Sequence, residues 1–433
     1  MSGACDASPE ALAVKLGNIH QEHMLTPSTT ISCAKTRLAL FWMHLANEPF
    51  VAVFTMLGFI LKKDLGASAL QISLLATINP ALALISFYLG AYLSQWHHRY
   101  VPNLMVAWLS GRLLFLVLPF YCNIWTTLVA ACLYQLFQRA CAPNTLEILR
   151  KNLDRKEHLR FFSWVYFFSF LESLILGFFI GKFLDTHTNN WKVLLALSSL
   201  FSLTSLFFQH QIPTPFHSTE DPVEKKKLHF LQPFKDSYRL MQSSQEFAKF
   251  QAGFMCGGLG LMIMNPALIV FYHDHLNLSH QTMATGRFMW MGAGVLLSTF
   301  VWKTLIHQIP LPKLLIAIIT GFAIFPLAVL YASEYFYFLY LAFFIYGVAQ
   351  AGSHLIWHLS GIFFAQDQQS SAMYTATNIL AVGLRGLIGP CLGGILTEAL
   401  GPHFTLIVGS TVCFSGIYCM FLIQNKNFKN ASL

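Results

Sequence analysis

Long apolar stretches alternate with short polar connections along almost the whole chain. Each stretch is roughly 20 residues long, and an α-helix of that length spans the ~30 Å hydrocarbon core of a bilayer. The pattern predicts twelve transmembrane helices, over residues 38–60, 70–93, 103–120, 124–143, 161–183, 190–210, 247–271, 281–302, 311–332, 335–357, 374–397 and 402–423. One longer polar segment, which is charged and contains proline, separates the sixth helix from the seventh.

This polar segment divides the chain into two equal sets of six helices. We therefore expect, in chain order, a cytoplasmic N-terminal tail, a six-helix bundle, a cytoplasmic linker, a second six-helix bundle and a cytoplasmic C-terminal tail. Their predicted bounds are residues 1–37, 38–210, 211–246, 247–425 and 426–433. The predicted fold class is an all-α integral membrane protein, and two six-helix sets joined by one linker are typical of membrane transporters.

Composition and charge agree with a protein that is surrounded by lipid. Apolar residues make up 55% of the 433 positions and charged residues 11%, whereas a soluble domain carries about 25% charged residues. The formal charge of +8 lies mainly in alternate loops, and the positive-inside rule assigns these loops and both termini to the cytoplasm. We expect a lipid bilayer and no nucleic acid as the partner, and a bacterial cytoplasmic (inner) membrane as the default location.

The nine cysteines predict neither a metal site nor a disulfide framework. They form no CxxC unit and show no paired spacing, and most lie in apolar stretches, where they serve as small packing side chains. The glycine clusters at 257–260 and 292–294 lack the Lys-Ser/Thr pair of a phosphate loop, so they indicate close helix packing. We expect no cofactor.

The two halves resemble each other in sequence. At an offset of 213 residues, the fifth helix aligns with the eleventh, and this alignment sets Glu172 opposite Arg385. At nearly the same offset the fourth helix aligns with the tenth, with Gln138 opposite Gln350. Matches at a near-constant offset predict two pseudo-symmetric six-helix bundles around an axis along the membrane normal.

Three stretches resemble the major facilitator superfamily. That family carries Gly-x-x-x-Asp-Arg-x-Gly-Arg-Arg between its second and third helices, and here Gly90 and Arg99 match the ends of the motif. Its inner positions differ, because Ser94, Gln95 and His97 replace the acid, the base and the second glycine. The sequence from Gly389-Pro390 to Gly394 is similar to the Gly-Pro-x-x-Gly-Gly run of the family's fifth and eleventh helices. The family's fourth-helix Arg-x-x-Gln-Gly is represented by Gln135, Gln138 and Arg139, so its intramembrane arginine is missing.

The resemblance implies a fold and a function. In that family, helices 1, 4, 7 and 10 line a central cavity, helices 2, 5, 8 and 11 flank it, and the others lie outside. The resemblance implies a monomeric secondary active transporter that moves a small organic solute by alternating access, with proton coupling as the favoured mechanism. An uncoupled facilitator or exchanger, and a membrane receptor that binds a solute without transporting it, remain alternatives. We expect no enzymatic activity, because no catalytic set of residues is apparent in the spans.

Four ionisable residues fall near the centres of predicted helices: Glu48, Arg112, Glu172 and Arg385. A charged residue at that depth costs roughly 2.5–3.5 kcal/mol on insertion scales, so these side chains must face water, pair with each other or carry no charge. Glu48 and Glu172 are the candidate proton-coupling residues, because a carboxyl group away from water holds a proton reversibly. The alternative for Glu48 is pairing with a basic neighbour. Arg112, on an outer helix, is expected to brace the N-terminal half.

The candidate substrate-binding residues are Arg385, Asn47, Asn265, Tyr346 and Gln350. A guanidinium group opposite a carboxyl group across the repeat suits a zwitterionic or anionic solute, since arginine binds carboxylate or phosphate with two parallel hydrogen bonds. The alternative is an ion pair between Glu172 and Arg385 that latches a gate. Prolines and glycines break or narrow helices, so several of them are candidates for gating or structural roles, together with two arginines. These candidates are Gly90, Arg99, Arg112, Pro49, Pro80, Pro266, Gly389 and Pro390.

Overall fold

The computed structural model describes residues 27–93, 99–153, 155–187, 189–213, 232–364 and 368–427, and this part of the chain is helical without strands. Its α-helices are α1 Pro27–Thr55, α2 Leu57–Leu65, α3 Ala69–Leu93, α4 Tyr100–Leu113, α5 Ile124–Asn152, α6 Arg155–Thr186, α7 Trp191–Leu203, α8 Ser205–Gln209, α9 Gln232–Ser243, α10 Gln245–Asp274, α11 His280–Ala284, α12 Met291–Leu305, α13 Leu311–Tyr331, α14 Tyr337–Phe364 and α15 Gln368–Asn427. A 3₁₀ turn, Leu114–Leu116, extends α4, and a π-helical turn, Thr285–Trp290, joins α11 to α12.

Eight helical segments in these ranges are long and apolar enough to cross a membrane, and Ala69–Ile85 and Tyr100–Leu116 are shorter apolar helices. One of the eight, Met373–Phe421, has 49 residues and bends at Gly401, where φ is 84° and ψ is 164°. The predicted all-α membrane fold is therefore confirmed. These helices are compatible with twelve spans, but the count itself stays a prediction.

Several helix ends differ from the predicted spans. Helix α1 begins at Pro27 rather than near residue 38. After the predicted fourth span, α5 continues to Asn152 and α6 begins at Arg155 rather than near residue 161. Hydropathy marks only the apolar part of a helix, so polar helical turns beyond the bilayer are missed. Of the predicted tails and linker, residues 1–26, 214–231 and 428–433 lie outside the described ranges, and α9 lies within the linker.

Helices α10 and α15 pack closely in the C-terminal half. A Cβ atom on Gly260 would collide with the backbone oxygen of Gly409 and with Cys413, and one on Gly393 would collide with the backbone of Ile263. Glycine at these positions brings the two backbones into direct contact, as small residues do in membrane helix packing. The glycine cluster at 257–260 therefore lies at a helix interface.

The halves meet along α3 with α15 and along α6 with α11. Pro80 of α3 lies against Gly386 of α15, and Gln281 of α11 lies against Gly181 of α6. At one end of the bundle, Lys62 Nζ lies 3.0 Å from Asp274 Oδ2. In the predicted orientation this is the outer end. One buried apolar cluster continues across the seam, from Phe50 and Leu57 in the N-terminal half to Met264 and Phe271 in the C-terminal half.

Candidate functional site

A cavity of about 770 Å³ lies between the two halves. Helices α3 and α5 contribute its N-terminal wall, and α10, α11, the π-helical turn, α12, α13, α14 and α15 contribute the rest. Its volume is within the range of ~300–1,000 Å³ that is usual for small-molecule sites. Most of its wall therefore belongs to the C-terminal half.

The cavity brings together four of the five predicted substrate-binding residues: Arg385, Asn265, Tyr346 and Gln350. They come from three different helices, α10, α14 and α15, so only the tertiary fold makes them neighbours. Tyr346 packs its ring against Phe325, with centroids 4.7 Å apart. These residues form a polar patch on an otherwise largely apolar wall.

Arg385 is buried, with 9% of its surface exposed. Its Nη1 donates a hydrogen bond to the backbone oxygen of Phe254 at 2.7 Å, and its Cζ lies 4.5 Å from the centroid of the Phe254 ring. Its Nε is buried and has no hydrogen-bond partner among the residues that the structure describes. A Cβ atom on Gly258 would collide with the guanidinium group, so this glycine provides the space that Arg385 occupies.

Arg287 lines the cavity but is not among the residues predicted from the sequence. It lies in the π-helical turn Thr285–Trp290, and a π turn accommodates one more residue per turn than an α-helix and so rotates the residues that follow. Its charge interacts with the phenol groups of Tyr272 and Tyr346. Hydropathy patterns carry no signal for such a turn, which explains the omission.

Arg139 of α5 is the third arginine at the cavity. Its Nη2 donates a hydrogen bond to Asn79 Oδ1 at 2.6 Å, while its Nε is buried and has no partner. The family motif did not point to Arg139, because the family often carries its arginine four residues earlier, at the position of Gln135. The spacing of one helical turn was the signal that could have identified it.

Acidic residues are missing from the described lining of the cavity, which contains three arginines. The remaining wall includes the aromatic residues Phe254, Phe322, Phe343 and Tyr272. Gln350 Nε2 lies 2.9 Å from His354 Nε2, and both residues line the cavity. The site therefore combines positive charge with aromatic surface. Within the described ranges, no group of His, Cys, Asp and Glu side chains could hold a metal ion.

Arg112 and Asn47 lie away from this cavity, in the interior of the N-terminal half. Arg112 is 1% exposed and donates hydrogen bonds to Asn47 Oδ1 at 2.7 Å, Ser202 Oγ at 2.8 Å and the backbone oxygen of Trp108 at 3.0 Å. Its Cζ also lies 3.4 Å from the centroid of the Trp108 ring. Asn47 is thus engaged by Arg112, and the structure does not bring it to the cavity.

Glu48 and Glu172 lie near each other on α1 and α6, and neither is among the described cavity-lining residues. Ser173 lies beside the carboxyl group of Glu48, and the charge of Glu48 interacts with that of Glu172. The Oε2 atom of Glu172 is buried without a hydrogen-bond partner. No ion pair joins either carboxylate to Arg385 or Arg112 in the described part of the chain.

The remaining predicted residues occupy varied places. Pro80 and Pro390 line the cavity, Pro49 and Pro266 lie inside α1 and α10, and Gly389 lies against Met262. Gly90 belongs to α3, and Arg99 is exposed just before α4. The motif positions Ser94, Gln95 and His97 lie outside the described residues.

Comparison with solved structures gives the fold. The nucleoside transporter NupG (D323A mutant) is similar with a TM-score of 0.71 at 11% identity, over 90% of this chain and 99% of that one. A POT family transporter in complex with a thioalcohol-conjugated peptide gives 0.70 at 12% identity, over 91% and 96%. A bacterial homologue of the human lysosomal transporter Spinster, inward-facing and unoccupied, gives 0.64 at 12% identity, over 94% and 100%.

Sequence comparison gives the family. No curated protein matches the chain, whereas the family model described as Major Facilitator Superfamily matches residues 41–381. That match covers most of the chain, including the helices on both sides of the cavity. It agrees with the structural similarity to transporters of that architecture. The chain is therefore a member of the Major Facilitator Superfamily, an integral membrane protein with a transporter fold.

Proposed function

We propose that the chain is a secondary active transporter that moves a small organic solute by alternating access. The observation that carries the proposal is the cavity of about 770 Å³ between the two halves, with walls from both. A site at the interface of two repeats becomes accessible from either side when one half rocks against the other. Family membership supports the same function.

The contacts at one end of the seam support the rocking step. His280 of α11 lies between two carboxylates of the N-terminal half: its Nε2 is 3.2 Å from Asp64 Oδ2 and its Nδ1 is 3.1 Å from Asp185 Oδ1. The backbone N–H groups of His280 and Gln281 also donate hydrogen bonds to Asp185, at 2.8 and 2.9 Å. These bonds close one entrance and would have to break for it to open.

Proton coupling is assigned to Glu48 and Glu172. Two neighbouring carboxyl groups in the membrane interior repel each other when both are ionised, so the pair can carry one proton between them. The buried Oε2 of Glu172 lacks a partner, which leaves it able to accept a proton. Because the pair lies outside the cavity wall, coupling would act through the packing of α1 and α6 rather than through direct contact with the solute.

The proposal includes an orientation and a location. Basic residues in alternate loops favour a cytoplasmic position for both termini, which makes the end that holds His280 the outer end. We assign the protein to a bacterial cytoplasmic membrane, acting as a monomer. The solute itself would enter and leave through the two ends of the cavity in turn.

The test is uptake into liposomes that contain the purified full-length chain, supplied with a labelled metabolite mixture, with and without an imposed pH gradient. We expect accumulation driven by the gradient. Glu48→Gln and Glu172→Gln should each remove the gradient dependence, whereas Glu334→Gln, at an exposed position, should leave it unchanged.

Other outcomes would count against parts of the proposal. Equilibration that ignores the gradient in the wild-type protein would indicate a facilitator or exchanger and remove the proton role of both carboxyl groups. Stabilisation by a solute without any flux would indicate a receptor and overturn the transport proposal.

A further inference from the structure

We infer that the solute is an organic anion, with a carboxylate or phosphate group on an apolar, preferably aromatic, body. This inference deepens the proposed function and rests on the cavity as the binding site. Arginine is the residue of choice for both acid groups, because its planar guanidinium donates two parallel hydrogen bonds to their oxygens. The aromatic wall provides the surface for the body of the solute.

The first argument is the charge of the cavity. Arg139, Arg287 and Arg385 line it, and its described wall contains no aspartate or glutamate. Charged side chains in the interior of a membrane protein face a water-filled space or an opposite charge. Within the described ranges no ion pair neutralises any of the three, so the opposite charge must come from solution.

The second argument is the incomplete hydrogen bonding of these side chains. Nine-tenths of Arg385 is buried, yet among the described residues its Nε has no hydrogen-bond partner, and the Nε of Arg139 lacks one as well. A buried donor without an acceptor costs free energy that a bound acceptor recovers. Carboxylate and phosphate oxygens are acceptors only, so they match a site rich in unused donors.

The third argument is the division of the charges between the halves. Arg139 belongs to α5 of the N-terminal half, whereas Arg287 and Arg385 belong to the C-terminal half. An anion with two acidic oxygens on separated atoms can contact both walls at once. Such a solute would hold the halves together around itself, so dianions should bind more tightly than monoanions.

The experiment measures equilibrium binding by calorimetry to the purified full-length chain in a neutral detergent, using defined aromatic compounds. The anions are isophthalate and phenyl phosphate, which separate carboxylate from phosphate recognition, and benzoate is the monoanion. Isophthalamide and benzylamine are the neutral and cationic counterparts. We expect at least one dianion to bind. Isophthalamide and benzylamine should bind at least 10-fold more weakly than this dianion, because they leave the charged donors of the cavity unsatisfied.

Variants assign the binding to the cavity. Arg385→Gln and Arg287→Gln should each weaken binding of the dianion by roughly 10- to 100-fold, the usual worth of a charge-assisted hydrogen bond. Arg239→Gln removes an exposed arginine of α9 outside the cavity and should leave affinity unchanged. If the variants unfold at the same temperature as the wild-type protein, loss of folding is excluded as the cause of weaker binding.

Failure of this inference differs from failure of the proposed function. Equal or tighter binding of the neutral or cationic compound, or affinity that does not respond to Arg385→Gln, would overturn the anion assignment while leaving transport intact. Saturable anion binding without flux into liposomes would overturn transport but keep the anion site. Absence of binding by all five compounds, together with uptake of a non-anionic metabolite, would also overturn the anion assignment.

Discussion

The two halves of the protein each bury an arginine in the membrane interior, and the two side chains are satisfied to different degrees. Arg112 makes three hydrogen bonds within the N-terminal half and lies flat on Trp108. Within the described part of the chain, Arg385 makes one hydrogen bond, and its Nε makes none. Arg112 lies away from the cavity and Arg385 lines it.

This difference distinguishes a structural arginine from a candidate binding arginine, which depth in the membrane does not. Both arginines fall near the centres of their predicted spans, and both are at most 9% exposed. A guanidinium group whose three nitrogens all donate hydrogen bonds stabilises its neighbours and has little capacity for a solute. One with unused donors at a cavity remains able to bind an acceptor.

The largest expected effect concerns stability. Arg112→Ala should lower the free energy of unfolding by roughly 3–5 kcal/mol, because it opens a void in a packed region and removes hydrogen bonds from Asn47 and Ser202. Arg385→Ala should lower it by about 1 kcal/mol or less, since the lost atoms border an existing cavity and take one hydrogen bond with them. Thermal unfolding in detergent measures both, and equal losses would contradict the comparison.

The next effect concerns the contact between the halves. His280→Ala removes the ring that joins Asp64 to Asp185, and we expect a loss of about 2 kcal/mol in the local contact. Hydrogen–deuterium exchange should then accelerate in residues 274–284 and at the end of α2. His307→Ala, at an exposed loop position, is the matched control. Unchanged exchange in the His280 variant would show that other contacts close this end.

Two neighbouring glycines sharpen the comparison further. The three atoms nearest to a Cβ atom on Gly258 all belong to the guanidinium group of Arg385, so Gly258→Ala should displace this group and weaken anion binding by about 10-fold with little loss of stability. Gly260→Ala meets the backbone of Gly409 and should lower the unfolding temperature instead. Calorimetric binding and thermal unfolding of both variants separate the effects. If Gly258→Ala lowered the unfolding temperature and Gly260→Ala weakened anion binding, the position of Arg385 would not depend on the space at Gly258.

The smallest expected effect tests the charge of the N-terminal wall. Asn79→Asp places a carboxylate beside Arg139 and should weaken anion binding by about 3- to 10-fold, because the new charge neutralises one of the three cations. Asn79→Ala removes the hydrogen bond without adding charge and should change affinity less. If the two variants bind equally, the charge of Arg139 does not contribute to affinity.

The sequence predicted the helices and part of the site for simple physical reasons. Apolar stretches as long as the bilayer is thick gave the spans, and the cost of an intramembrane charge drew attention to Arg385. Asn47 shows the limit of this reasoning. It neighbours Glu48 in sequence, but successive helical residues point about 100° apart, and its side chain turns to Arg112 instead of the cavity.

The remaining cavity charges depended on features that residue patterns do not encode. Arg287 reaches the cavity from a π-helical turn, whose extra residue follows from tertiary packing. Arg139 reaches it because α3 and α5 pack together and Asn79 accepts its hydrogen bond. Glu172 and Arg385, which align across the repeat, do not form an ion pair in the described ranges. Glu172 lies beside Glu48, whereas Arg385 packs on the ring of Phe254.

The three cavity arginines also have a consequence for the response of the protein to voltage. Their charges sum to +3 and lie within the electric field of an energised membrane, where moving one elementary charge across 100 mV is worth about 2.3 kcal/mol. In the proposed alternating-access cycle, each change of access shifts the field relative to these charges. An empty cavity therefore behaves as a gating charge, whereas a cavity that holds a dianion carries a net charge near +1. Membrane potential should consequently affect the conformational change of the empty protein more strongly than that of the protein with bound solute.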